Sequence, residues 1–444
     1  MQKIYRRALL FITLVIFIAL TPLVVLYAIG YRATLKNIDP LPIGVALVKS
    51  KPSRASIYIN DKPAGKTPKT LPNLIAGNVN ISLALREYRS WSKNIAIKPG
   101  MAADLSDIVL FPANIDSHPL AQDAVLFSLS PNRKLIAYIS SNLHLSVIDQ
   151  DSHPIVDSQA LTTIPQTVLW SPNSASLLLH NKNNYWLVNN FGASSPILLS
   201  TLNGAADAIW DPVVPNRLLF TDVAGSLKAY NASTGALQII AKQVNIFATS
   251  NKYIYTVSED NIINVFNLSG GPQNINIPSP DKKIVKLLIT PSGNIAYTTK
   301  DTGVWYLNES NQPVLISSSS AYAGWSPDGA ILFIATDPYT INVFSTTDEI
   351  SFLPKQILQF ITRLSRPITA IQWFAGSRHL IYQIDDEIII SEIDVRDHPI
   401  SEQITTTNNG NAQTAVGTDG EMIYYLKKTT NKTGLYQSDL VIQQ

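Results

Sequence analysis

The chain contains no cysteine. That removes disulfides and thiolate metal sites from consideration. Histidine is also scarce: His118, His144, His153, His180, His379 and His398 are scattered along 444 residues. No Gly-x-Ser-x-Gly, Walker-type, HExxH or EF-hand pattern occurs. No catalytic, cofactor or metal site is therefore assigned. Charged residues make up only 15% of the chain, against 45% hydrophobic ones. This balance excludes a disordered chain and suits a β-rich protein with modest surface charge.

What charge there is lies unevenly. Residues 1–36 hold five basic residues and no acid. Residues 37–112 hold ten basic and five acidic residues, and residues 113–444 hold 19 basic and 27 acidic ones. The large acidic region would repel a phosphate backbone, which excludes a nucleic-acid partner.

Between Arg7 and Arg32 there is no charge at all, and fifteen of the residues from Ala8 to Gly30 are Leu, Ile, Val or Phe. A helix of that length matches a hydrocarbon core of about 30 Å. The apolar side chains favour insertion by about 5–9 kcal/mol. A cleavable leader has a shorter apolar core and a small-residue cleavage site, whereas this run ends Leu-Tyr-Ala-Ile-Gly-Tyr. The expectation is a stub and single transmembrane anchor over 1–36. Lys3, Arg6 and Arg7 would keep the N-terminus cytoplasmic, at the plasma membrane, with the bulk of the chain extracytoplasmic.

Residues 37–112 read as a small β domain. Val79, Ile81, Leu83 and Leu85 alternate, as in a half-buried strand, and Ile95 and Ile97 continue that period. Pro63, Gly65 and Pro68 mark turns. Pro52, Ser56-Ile57-Tyr58-Ile59-Asn60, the run Lys62 to Pro68, and then Leu74, Gly77, Tyr88 and Trp91 resemble the PEGA domain family. Lys62 and Pro63 stand where the family name has proline and glutamate. The resemblance implies a small β-sandwich-like accessory domain, common in envelope proteins and without catalytic residues. Its basic side chains Lys62, Lys66, Lys69, Arg86, Arg89 and Lys93 are candidate contacts for a polyanion, either lipid headgroups or a wall polymer.

From 113 to 444 one pattern recurs. An apolar strand runs into a tight turn and a second apolar strand follows, as in VLWSPNSASLLLH (168–180) and AGWSPDGAILFIAT (323–336). Turns fall near 131, 172, 212, 250, 291, 327, 375 and 418, and each unit has a third alternating strand. A period of about 40 residues with several short strands signals a β-propeller. The Trp-Ser-Pro-Asp-Gly core of 325–329 resembles the repeat of TolB-like and WD-repeat-like propellers. Eight blades are expected, with seven as the alternative. A segment near 113–120 should supply the last blade's fourth strand. Trp170, Trp210, Trp325 and Trp373 are expected to pack between blades. Asp149/Asp151, Asp207/Asp211 and Asp385-Asp386-Glu387 read as turn residues. The expected class is all-β after the anchor. The expected function is a membrane-anchored envelope scaffold binding a protein or glycan, with a glycan-acting propeller enzyme as the alternative.

Overall fold

The computed structural model describes residues 2–28, 31–34, 37–182, 184–189, 191, 195–278, 280–410, 413–417, 420–430 and 432–441. The chain divides into two compact units. One comprises residues 1–114 with Val395–Ile400, and the other residues 115–394 with 401–444.

The first unit opens with a helix, α1, over Gln2–Ala28, which contains Pro22. Its described side chains are exposed, Leu9, Phe11, Phe17 and Ile18 by 63% or more. Among the described residues no helix is long and apolar enough to cross a membrane. The expected span over Ala8–Gly30 is therefore not shown. Its described side chains run from Leu9 to Val25 and are interrupted at Leu23; the side chains of Ala8, Leu23 and residues 26–30 lie outside the described set.

Two four-stranded sheets follow. In the first, Asn37–Lys51 pairs antiparallel with Tyr31–Thr34 and Lys69–Ile75 and parallel with Ala102–Val109. In the second the order is Lys62–Lys66, Ser56–Ile59, Gly77–Ala84, Trp91–Ile97. The alternation read from sequence holds for Val79, Ile81 and Leu83, all buried. Leu85 falls beyond the strand end at Ala84 and is only half-buried.

The second unit is all-β and propeller-like. Its strands pair, among the described residues, as eight four-stranded antiparallel sheets. The first strands of sheets 1 to 8 are Ala124–Leu129, Thr167–Trp170, Asp207–Trp210, Val244–Thr249, Ile284–Ile289, Tyr322–Trp325, Ile368–Trp373 and Thr414–Val416. Sheet 8 takes its fourth strand from the start of the unit. His118–Ala121 lies antiparallel to Thr433–Asp439, with Tyr436 opposite Pro119. This strand starts later than the expected 113–120 segment.

The recurring turn has a physical explanation in its hydrogen bonds. In the Ser326-Pro327-Asp328-Gly329 turn, Gly329 N–H donates to the Ser326 carbonyl (2.8 Å), and Gly329 has φ +72°. Ser326 Oγ donates to Asp328 Oδ1 (2.5 Å) and accepts from Ile331 N–H (2.9 Å). Asp328 Oδ1 also accepts from Ala330 N–H (3.0 Å). This is a type I turn followed by a left-handed residue, so serine, proline, a short acceptor and glycine each suit their position. Ser171 and Asn173 repeat the arrangement with Ser174 at φ +59°, and Ser130 and Asn132 repeat it with Arg133 at φ +59°. A left-handed Ser or Arg stands where glycine would be easiest, which is why these copies look degenerate in sequence. Thr418 and Asp419, near the eighth expected turn, lie outside the described residues.

Candidate functional site

The tryptophans before the turns join successive sheets. Trp170 Nε1 donates to the Ser128 carbonyl (3.1 Å) and Trp210 Nε1 to that of Leu169 (3.1 Å). Trp325 Nε1 donates to Leu288 (2.9 Å) and Trp373 Nε1 to Gly324 (3.0 Å). In every case the acceptor lies on the first strand of the preceding sheet, so one indole both fills the apolar interface and satisfies a backbone carbonyl. Gly324 is the close-packed case, because a Cβ there would lie 2.8 Å from Phe333.

Between sheets 7 and 8 and between sheets 8 and 1, glutamines do the same work. Gln413 Oε1 accepts from Phe127 N–H (3.0 Å) and Gln413 Nε2 donates to the Phe127 carbonyl (2.5 Å), so the side-chain amide stands in for a strand residue between sheets 8 and 1. Gln372 Nε2 donates to Thr414 Oγ1 (2.8 Å) and to its carbonyl (3.2 Å), joining sheets 7 and 8. Arg133 reaches the Val416 carbonyl, again from sheet 1 to sheet 8. The repeat pattern did not reveal these amides, because it searches for what recurs and each occurs once.

First strands of sheets 1, 2, 3, 7 and 8, with Pro327 of sheet 6, line a cavity of about 720 Å³ at the end carrying the proline turns. Its walls include Phe127, Leu169, Ile209, Trp373 and Phe374, the prolines 131, 172, 212 and 327, and the amides Gln372 and Gln413. Among the described residues lining it, Arg133 is the one charged side chain and there is no carboxylate. A second space of about 330 Å³ shares Gln372, Gln413 and Thr414 with sheets 7 and 8. Such walls suit an apolar or neutral hydrogen-bonding group.

Asp149 holds a turn, and Asp385 and Glu387 are ion-paired. Asp207, expected in a turn, instead opens the strand Asp207–Trp210, because the apolar run after it carries the ladder back to Thr221. Asp149 Oδ1 accepts from the backbone N–H of Asp151 (2.9 Å) and His153 (2.8 Å), and His153 Nδ1 lies 3.1 Å from Asp149 Oδ2. The backbone bond from His153 is the main cause that holds the Asp149 carboxyl below its ordinary range. Arg366 spans Asp385 (2.9 Å) and Glu387 (2.7 Å). His180 stacks on Tyr185 with ring centroids 4.3 Å apart. His379 is buried against Phe374. Asn231, Asn267 and Asn308, each heading an Asn-x-Ser triplet, use Oδ1 to accept backbone N–H groups two to four residues on. Turn chemistry explains that spacing. Asn431 lies outside the described residues.

Asp211 is fully buried, and its Oδ2 is held by Arg217 Nε (2.9 Å) and Nη2 (2.5 Å). Its other oxygen accepts from Val213 and Val214 N–H, and Arg217 Nη1 reaches the Leu268 carbonyl (2.6 Å) in the neighbouring sheet. Truncation of Arg217 to alanine strands a buried carboxylate and leaves that carbonyl without its donor. The expected loss is about 3–5 kcal/mol, read as a lowered urea midpoint. Replacing the pair with Asp211→Asn and Arg217→Met should recover part of it.

The six basic candidates of the first unit divide sharply. Lys62, Lys66 and Lys69 are exposed. Arg86 is exposed and lies 3.6 Å from Glu87, while Arg89 is half-buried and already has a partner. Lys93 is a correction: it is fully buried and in register with Ile81. The physical reason is phase. Trp91, Lys93, Ile95 and Ile97 share the inward face of one strand, so Lys93 cannot meet a surface. Arg54, missed in sequence, is exposed beside Thr67, whose carbonyl accepts its backbone N–H (2.8 Å).

Comparisons with known proteins agree with this architecture. The PEGA domain model matches residues 43–107. No curated protein matches the chain in sequence. Among solved structures, the C-terminal WD40 domain of Sif2 is similar at 12% identity and a TM-score of 0.53, covering 74% of this chain and 99% of that one. Sqt1 from Saccharomyces cerevisiae is similar at 12% identity and a TM-score of 0.51, covering 74% and 98%. The dihydro-heme d1 dehydrogenase NirN is similar at 13% identity and a TM-score of 0.53, covering 71% and 72%. At these identities the likeness shows a WD40-like propeller fold and nothing about ligands.

Proposed function

We propose that the chain is a membrane-held scaffold of the cell envelope. In this reading α1 lies in the bilayer, the PEGA domain follows outside the cytoplasm, and the eight sheets are the blades of one closed ring that binds a protein or glycan at the cavity mouth. The observation that carries the binding reading is the cavity itself, walled by aromatic rings, prolines and amides.

Two features of α1 support the membrane attachment. Its exposed surface is an apolar run that water would disfavour. Its two threonine hydroxyls are satisfied inside the helix: Thr13 Oγ1 donates to the Leu9 carbonyl (2.9 Å) and Thr21 Oγ1 to that of Phe17 (2.6 Å). Internal satisfaction of polar groups is what a lipid environment demands. The test is alkaline carbonate extraction of membranes combined with protease added to intact cells stripped of any outer membrane. The chain should stay in the membrane pellet, and residues after 30 should be digested without lysis. Release by carbonate refutes the anchor, and digestion only after lysis refutes the orientation.

A further inference from the structure

We propose that the edge hairpin of the PEGA domain, with Lys62 and Lys66 on its strand and Arg54 and Lys69 beside it, docks on the anionic headgroup layer of the membrane that holds α1. This rests on the membrane reading above.

The four side chains are exposed, and none makes an ion pair among the described residues. Backbone pairing places them along and beside one edge hairpin. Lys66 lies opposite Ser56 and Lys62 opposite Ile59 on the hairpin Ser56–Ile59/Lys62–Lys66. Arg54 is placed beside Thr67 by its N–H bond, reinforced by Thr67 N–H to the Ala55 carbonyl (2.9 Å). Lys69 folds back over the hairpin, where its Nζ donates to the Ala64 carbonyl (2.7 Å). Gly65 makes room for it: at φ +125°, a Cβ there would sit 2.6 Å from Lys69 Nζ. Lysines and a proline on Lys62–Lys66 also suit an edge strand that must not pair with other chains. Edge protection does not require Arg54 or Lys69, which lie off that strand, nor a glycine that seats the Lys69 ammonium. A cluster of this kind is attracted to an anionic leaflet over about one Debye length, roughly 8 Å at physiological salt. The chain supplies proximity, because about ten residues separate the end of the apolar run from Leu41. The excess of acid in residues 113–444 gives that region the opposite preference.

The full chain is reconstituted with vesicles of phosphatidylcholine alone or mixed with phosphatidylglycerol. Flotation is scored first, and amine acylation of individual lysines is then followed by mass spectrometry. The chain should float with both vesicle types. On the anionic vesicles at low salt, Lys62, Lys66 and Lys69 should be acylated about fivefold more slowly than on neutral ones. The exposed Lys242 and Lys252 should not change, and 1 M salt should abolish the difference. Gly65→Ala should weaken the protection at Lys69 while leaving flotation intact. Flotation with equal labelling on both vesicles overturns the docking proposal alone. Failure to float with either overturns the membrane reading and the docking with it. Protection on neutral vesicles by added inorganic phosphate also overturns docking, because it would mark a free-anion site.

Discussion

Deletion of residues 434–444 should abolish cooperative unfolding of the whole second unit, not merely fray sheet 8. The segment carries most of the strand Thr433–Asp439, which lies between Met422–Lys428 on one side and His118–Ala121 on the other. Its Leu435 is fully buried with Ala124, Phe127, Ile136 and Ile148 of sheet 1 and with Tyr424 and Leu426 of sheet 8, and Leu440 is 1% exposed. Each buried leucine contributes about 1.5–3 kcal/mol. Tyr425 OH, which bonds Ser438 (2.9 Å) and Ser117 (2.6 Å), loses one of those partners. The ladder bonds on both flanks vanish, leaving two open edges. The total is on the order of 10 kcal/mol, comparable with the whole stability of a typical domain. A urea titration followed by tryptophan fluorescence should show no cooperative transition. An unchanged midpoint would mean that the two ends of the second unit do not hold each other.

Alkaline pH should unfold the protein as its buried tyrosines are forced to ionise. Burial is the main cause that raises Tyr185, Tyr297 and Tyr424 to about 12, with Asp207, Asp281 and Asp439 each adding repulsion. Their side chains are 1%, 1% and 0% exposed. Below pH 10 the folded and unfolded states both keep these protons. Between pH 10 and 12 the unfolded chain loses them while the folded one retains them, so stability falls as pH rises. The three buried tyrosines together remove on the order of several kcal/mol of stability across that range. Tyrosinate absorbance and circular dichroism should therefore change together in a steep step above pH 10. Gradual titration of all the tyrosines with the fold intact would contradict this.

Much of this fold is legible in the sequence because it rests on period and turn chemistry. The Trp-Ser-Pro-Asp-Gly unit at 325–329 displays every requirement of its turn at once, and Ser-Pro-Asn at 171–173 displays most of them. The buried phase of Val79, Ile81 and Leu83 follows from alternation. The same alternation, applied to Trp91, Ile95 and Ile97, would have placed Lys93 inside; composition misled because lysine is so seldom buried. The pairing of Gln413 with Phe127 joins positions 286 residues apart and leaves no local signal. Gly65 looks like an ordinary turn residue until Lys69 is seen crossing it. Cavities have no signature of their own, because their walls come from first strands whose spacing records only how each sheet begins.

Binding at the cavity mouth is the central claim, and site-specific photocrosslinking in native membranes tests it most directly. A photoreactive phenylalanine analogue is placed at Leu169 or Ala375, which line the cavity and are half-buried, and separately at Leu237, an exposed residue on the outer strand of sheet 3. The account predicts a discrete adduct from both cavity positions and none from Leu237. Adducts from Leu237 alone, or none from either cavity position, would contradict it.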